Sequence, residues 1–67
     1  MREFVPKINP EGIYSAKRAC NELGVTYQTL RLFRQKGFIE PVNPKNRFRS
    51  RYTGQAIINC WYEAIKS

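Results

Sequence analysis

The segment from Gly24 to Gly37 constrains the fold of this chain more than any other. Glycine readily adopts the left-handed backbone conformation that ends a helix and turns the chain, and one stands at each end of this segment. Thr26 is a favourable helix cap, and the residues from Tyr27 to Lys36 include no proline or glycine. The segment therefore predicts a short helix of about three turns with sharp ends.

A second amphipathic helix is predicted immediately before this segment. Ser15 is a suitable N-cap, and the apolar residues after it recur at the spacing i, i+3, i+4 and i+7. This apolar stripe consists of Ala16, Ala19, Cys20 and Leu23. Because most of these side chains are small, another helix can approach closely. Two short helices joined by a glycine-containing turn are typical of a helix-turn-helix, whose second helix enters a DNA major groove.

The predicted second helix has an apolar side and a polar side. Leu30 and Phe33 form the inward pair, three residues apart. Arginine can donate two hydrogen bonds to a guanine edge or to phosphate, and tyrosine offers a hydroxyl and a flat apolar ring. The pattern favours a DNA-contacting face over the alternative, a solvated basic face. This face consists of Tyr27, Gln28, Arg31 and Arg34.

Residues 38–52, here called the wing, predict a two-stranded β-hairpin. Phe38 and Ile39 begin one extended arm, and the turn over residues 43–46 reverses the chain. Residues 47–52 then alternate between arginine and other types, which in a strand places the two sets on opposite sides. The arginine side carries Arg47, Arg49 and Arg51, and the other side carries Phe48, Ser50 and Tyr52. Arginines arranged in this way suit phosphates or a narrow minor groove.

The last helix should complete the core. Thr53 can cap it, and its apolar face consists of Ile57, Cys60, Trp61, Ala64 and Ile65. We expect Ile57, Cys60 and Trp61 to be buried. Whether part of this face, such as Trp61 or Tyr62, meets a partner protein stays open.

Residues 1–12 are predicted to form an extended arm in front of one domain that spans residues 13–67. The arm contains Pro6, Pro10 and Gly12 and has no helical period. We expect its apolar side chains to pack on the core, and the role of its basic side chains stays open. The apolar ones are Phe4, Val5 and Ile8, and the basic ones are Arg2 and Lys7.

The charge balance points to a polyanionic partner. The 67 residues include 12 lysines and arginines against 5 acidic residues, for a net charge of +7 and a pI near 9.9. Small domains this basic commonly bind nucleic acid. Because the chain has no histidine or aspartate, it offers no acid–base pair or two-metal site, and it has no glycine-rich phosphate loop. We therefore expect no enzymatic activity, no cofactor and no small-molecule ligand.

The two cysteines do not form a metal-binding motif. Cys20 and Cys60 lie 40 positions apart, and no histidine completes a zinc site. A disulfide between them stays open. The sequence shows no signal peptide or apolar run long enough to span a membrane, which favours a cytoplasmic protein associated with the nucleoid through DNA.

Residues 13–52 resemble the DNA-binding domain of the MerR-type winged-helix superfamily. The matching runs are Tyr14-Ser15, the turn over residues 23–26, residues 29–41 with their Leu-Arg start and Gly-Phe-Ile-Glu-Pro end, and Arg51-Tyr52-Thr53. The resemblance implies a mainly α winged helix-turn-helix with three short helices and a two-stranded wing. The sequence differs from the superfamily at Leu32, where an aromatic residue is usual, and at Gly54-Gln55, where acidic residues are usual.

The resemblance also implies roles for individual residues. Tyr27, Gln28 and Arg31 match positions of the recognition helix that contact DNA, and Arg47 and Arg49 match contacts to the backbone or minor groove. We expect Lys17 or Arg18 to touch phosphate. The full set of candidate DNA-binding residues is Lys17, Arg18, Thr26, Tyr27, Gln28, Arg31, Arg34, Lys45, Arg47, Arg49 and Arg51.

A free-standing domain of this type is similar to excisionases, the recombination directionality factors of phages and conjugative transposons. MerR-type activators continue into a long dimerisation helix and often an effector domain, and we expect neither here. The resemblance implies a protein that binds double-stranded DNA beside attachment sites, bends it by neutralising phosphates on one side, and assists a tyrosine integrase, with cooperative self-association on DNA. A small transcriptional regulator is the first alternative. A protein-interaction or RNA-binding module is the second.

Overall fold

The structure is a computed structural model that describes residues 4–45 and 49–66. Its elements in chain order are β1 (Ile13–Ser15), α1 (Ala16–Leu23), α2 (Tyr27–Gln35), β2 (Arg51–Thr53), α3 (Gly54–Cys60) and a π-helical segment (Trp61–Lys66) that continues α3. The predicted fold class, mainly α with three short helices and two strands, is confirmed. Within the described residues, no helix has the length and apolarity needed to cross a membrane.

The three predicted helix caps are confirmed. In each, a hydroxyl oxygen accepts a hydrogen bond from the backbone N–H three residues later, which satisfies a donor that has no partner inside the helix. These bonds join Ser15 to Arg18 (3.2 Å), Thr26 to Thr29 (3.2 Å) and Thr53 to Ala56 (3.0 Å). Short polar residues therefore determine where every α-helix begins.

The turn between α1 and α2 depends on Gly24. This residue has φ of 69° and ψ of 37°, the left-handed conformation expected from the sequence. The N–H of Val25 donates to the carbonyl of Cys20 at 3.0 Å, and Val25 packs against the core. The turn thus brings α2 across α1 and leaves one side of α2 exposed.

The strand pairing differs from the predicted hairpin. β2 is only three residues long and pairs antiparallel with β1, with Tyr14 opposite Tyr52 and Ser15 opposite Arg51. Within the wing, no strand lies in residues 38–45, because Ile39 is buried in the core and Pro41 and Pro44 have no N–H to donate to a ladder. In the described part of the wing, the N–H of Val42 donates to the Arg51 carbonyl at 2.8 Å and joins the two arms.

The side chain of Asn43 completes the connection between the arms of the wing. Its amide donates to the Arg49 carbonyl at 2.6 Å, and its carbonyl oxygen accepts from the Arg51 N–H at 2.9 Å. The predicted alternation is confirmed over residues 49–52, since Ser50 and Tyr52 are buried while Arg49 and Arg51 are exposed. The other residues of the predicted alternation, Arg47 and Phe48, lie outside the described residues.

The core lies between the three helices and β2. Its buried members are Ala19, Cys20, Leu23, Leu30, Phe33, Ile39, Tyr52, Ile57, Cys60 and Trp61. The predicted burial of Ile57, Cys60 and Trp61 is confirmed, and Tyr62 is exposed. Cys20 and Cys60 are free thiols, both buried.

The N-terminal segment packs against the start of α3. The N–H of Gly54 donates to the Gly12 carbonyl, and the N–H of Gln55 donates to the Pro10 carbonyl, both at 2.9 Å. Ile8 packs on the core as expected, but Phe4 is 77 % exposed and Val5 is also exposed, so the expectation was wrong for these two. Two backbone hydrogen bonds, together with the buried Pro6 and the packing of Ile8, hold this segment.

Gly54→Ala should destabilise the protein by about 2–3 kcal/mol, because a Cβ at this position would overlap the carbonyl oxygen of Asn9. Gly37→Ala provides the comparison. A Cβ there meets nothing within 4 Å, but the φ of 80° is unfavourable for alanine, so we expect a loss of about 1 kcal/mol. Urea denaturation measures both changes, and an equal loss in the two variants would contradict the close packing of α3 on the N-terminal segment.

Stability should also fall in alkaline solution. Burial, with the nearby charge of Glu63, raises the pKa of the Cys60 thiol to about 11. The neutral thiol is favoured in the folded state, so its stabilising effect is present below the ordinary thiol pKa of about 8.5 and is lost as the pH rises toward 11. Cys60→Ala should flatten the dependence of the free energy of unfolding on pH. An unchanged slope would show that this thiol does not contribute.

Candidate nucleic-acid interface

The outward face of α2 carries polar side chains opposite its buried side. Leu30 and Phe33 point into the core, and a helix advances about 100° per residue, so the residues on the opposite side can be identified directly. They are Gln28, Arg31, Leu32 and Gln35, all exposed, with Tyr27 beside them. Leu32 and Gln35 were not among the residues predicted from the sequence to contact DNA. The same helical period would have identified both.

Arg34 does not lie with the exposed residues of this face. Its side chain is half-buried, and Nη1 donates a hydrogen bond to Oγ of Ser50 at 3.3 Å. Ser50 is 4 % exposed and belongs to the wing. The guanidinium therefore connects α2 to the wing, whereas the sequence predicted it to be on the DNA-contacting face. Whether Arg34 also meets DNA stays a prediction.

Tyr52 belongs to the same buried polar group. Burial raises the pKa of the Tyr52 phenol, while the positive charge of Arg34 and the hydrogen bonds with Ser50 and Arg34 oppose that rise. Tyr52 is 1 % exposed, and its backbone lies opposite Tyr14 in the β1–β2 pairing. Arg34, Ser50 and Tyr52 thus form a polar group that joins α2, the wing and the sheet.

A small cleft of about 330 Å³ lies where α1, α2 and the second arm of the wing meet. The pairing of β1 with β2 creates it, since Ser15 lies opposite Arg51 and α1 starts at the next residue. Its lining consists of Ser15, Ala16, Lys17, Tyr27, Arg49, Ser50 and Arg51. Three of these side chains are cationic, two carry a hydroxyl on serine, one is a tyrosine, and none is a carboxylate. Such a lining is suited to an anion.

A larger open cleft of about 870 Å³ lies between α2 and the first arm of the wing. Tyr27 lines both clefts and therefore stands between them. The lining of the larger cleft consists of Tyr27, Arg31, Arg34, Gln35, Ile39, Glu40, Pro41 and Pro44. Unlike the small cleft, it includes a carboxylate.

The remaining predicted residues are distributed unevenly. Arg18 is engaged within α1, because Nε pairs with the Glu22 carboxylate at 2.9 Å and its guanidinium lies 5.5 Å from the Tyr14 ring centre. The Thr26 hydroxyl caps α2 and is 3.1 Å from the Thr29 hydroxyl. Lys45 is exposed in the wing, outside both clefts. Arg47 lies outside the described residues.

One family model matches residues 14–58 and is described as the MerR HTH family of regulatory proteins. The matched residues begin in β1, include α1, α2 and the wing, and end within α3. They therefore include every residue that lines the two clefts. No curated protein and no solved structure matches the chain.

Arg34→Met should lower the free energy of unfolding by about 1–2 kcal/mol, because the buried Ser50 hydroxyl loses a charged donor. The pKa of Tyr52 should also rise further, since the charge that opposes its rise is removed. Alkaline titration of tyrosine absorbance reports this change. Arg31→Met is the matched control on the exposed face, and equal effects of the two substitutions would contradict the proposed role of Arg34 within the fold.

Proposed function

Because the chain belongs to the MerR helix-turn-helix family of regulatory proteins, we propose that it binds a specific sequence of double-stranded DNA through α2 and the wing. The observation that carries this proposal is the small cleft, where Lys17 of α1 and Arg49 and Arg51 of the wing line one concave surface beside α2. A net charge of +7 supports attraction to a polyanion from any direction. The small cleft brings three of the positive charges together on one surface.

In this proposal α2 supplies the sequence preference. Gln28 and Arg31 are exposed on its outward face, and both can form paired hydrogen bonds with base edges, Gln with adenine and Arg with guanine. Leu32, 45 % exposed on the same face, suits the methyl group of thymine. The buried pair Leu30 and Phe33 fixes the rotation of α2, so these side chains keep a constant direction.

The small cleft supplies affinity in this proposal. Its volume accommodates a backbone phosphate, and the cations that line it come from separate elements held together by the β1–β2 pairing. Tyr27, 56 % exposed at the start of α2, offers its hydroxyl to the same phosphate. Phosphate contacts of this kind position a protein on the duplex without selecting a sequence.

The biological role has two candidates within DNA binding. One is the excisionase role, in which the protein bends DNA beside attachment sites and assists a tyrosine integrase, with several copies bound side by side. The three cations that line the small cleft support bending, because they would neutralise phosphates on one side of the duplex. The other is transcriptional regulation, which the description of the matched family supports.

Two sets of substitutions should separate the contributions of α2 and the cleft. Lys17→Ala combined with Arg51→Ala should weaken binding to every duplex and reduce its dependence on salt, because two phosphate-facing charges are lost. Gln28→Ala or Arg31→Ala should cost about 1–3 kcal/mol on the preferred site and relax sequence preference. Fluorescence anisotropy across a salt series measures both.

Lys7→Ala is the charge-matched control for these variants, since Lys7 is exposed and lines neither cleft. We expect it to change affinity little. The proposed DNA-binding function fails if the unmodified protein shows no preference among duplexes at physiological salt after selection from a random pool.

An excision assay with the integrase of the same mobile element separates the two roles. The excisionase proposal expects excision to increase when the protein is added and the increase to disappear in the Lys17 and Arg51 double variant. Repression of a promoter without any effect on excision would support the regulator instead.

A further inference from the structure

The larger cleft contains a charge of the wrong sign for a DNA-binding surface. Glu40 lines it together with Arg31, Arg34 and Gln35 of α2, the helix to which we assign base contacts. Its side chain is exposed. The small cleft on the other side of Tyr27 has no carboxylate in its lining. The larger cleft therefore offers DNA one negative charge beside two positive ones, whereas the lining of the small cleft offers positive charges only.

The backbone holds Glu40 in this position. Ile39, the residue before it, is 3 % exposed and belongs to the core. Pro41 follows and fixes its own φ, and the next residue, Val42, donates to the Arg51 carbonyl at 2.8 Å. The backbone of Glu40 is thus anchored on both sides, which keeps this residue in the lining of the larger cleft.

The charge of Glu40 is not neutralised by the arginines of the same cleft. Among residues 4–45 and 49–66, none forms an ion pair with Glu40 within 4.0 Å, in contrast to Glu22, which pairs with Arg18 at 2.9 Å. Arg34 instead donates to Ser50. An uncompensated carboxylate at a surface that meets phosphates produces repulsion.

We propose that Glu40 limits the affinity of this surface for DNA and keeps the sugar–phosphate backbone toward the small cleft. This inference rests on the proposed function. The carboxylate of Glu40 repels a phosphate placed in the larger cleft and offsets part of the attraction of its arginines, whereas the cations of the small cleft favour the pose that presents the outward face of α2 to the bases. Glu40 is therefore a specificity-determining residue that acts by excluding an alternative pose.

The test compares Glu40→Gln with Glu11→Gln. Both substitutions raise the net charge by one, and both side chains are exposed, but Glu11 lines neither cleft. We expect Glu40→Gln to tighten binding to random-sequence duplex by about two- to fivefold at roughly 50 mM salt, with the gain shrinking as salt is raised. Affinity for the preferred duplex should rise by a smaller factor, so the ratio between the two falls. Glu11→Gln should change affinity less at every salt concentration.

Two results would overturn the proposed role of Glu40, and a third would overturn the proposed function. Equal effects of the two substitutions would overturn the role of Glu40, because net charge alone would then explain the gain. Weaker binding by Glu40→Gln would also overturn it, since the carboxylate would then be accepting a hydrogen bond from DNA. If the unmodified protein binds no duplex, the proposed function itself fails, and that result is distinct from both.

Discussion

The hydrogen bond from Arg34 to Ser50 connects the two parts of the surface that we assign to DNA. Arg34 belongs to α2 and Ser50 to the wing, 16 residues away in sequence. Removing this charged donor from the buried Ser50 hydroxyl should cost about 1–2 kcal/mol. Because this cost opposes separation of the two elements, the wing and the helix present their side chains in a fixed relation.

The short β1–β2 pairing performs a similar task on the other side of Tyr27. Ser15 ends β1 and caps α1, while Thr53 ends β2 and caps α3, so three residues of pairing determine where two helices start. The same register brings Lys17 close to Arg51. A domain of this size buries a modest fraction of its surface. Residues such as Ser15 and Thr53, which end a strand and also cap a helix, therefore contribute to its folding in two ways.

Local signals in the sequence were sufficient to predict the elements but not their pairing. The caps at Ser15, Thr26 and Thr53 and the turn at Gly24 depend on neighbours within a few residues, and all were confirmed. The partner of β2 lies about forty positions earlier in the chain, and alternation within the wing carries no information about it. The hydrogen bond between Arg34 and Ser50 was not predicted, for the same reason. The helical position of Arg34 borders the exposed face, and its partner Ser50 is distant in sequence. The two clefts likewise arise from packing between residues that are distant in sequence. The place of Glu40 in the larger cleft therefore could not be predicted from the sequence.

Chemical-shift mapping of backbone amides would show directly whether α2 and the small cleft form the DNA-binding surface. The isotopically labelled protein would be titrated with a duplex selected from a random pool. We expect the largest changes in chemical shift at the start of α1, along α2 and over residues 49–51. Tyr62 and its neighbours in the π-helical segment should change little. Changes concentrated at Tyr62, with α2 and the small cleft unaffected, would contradict this expectation.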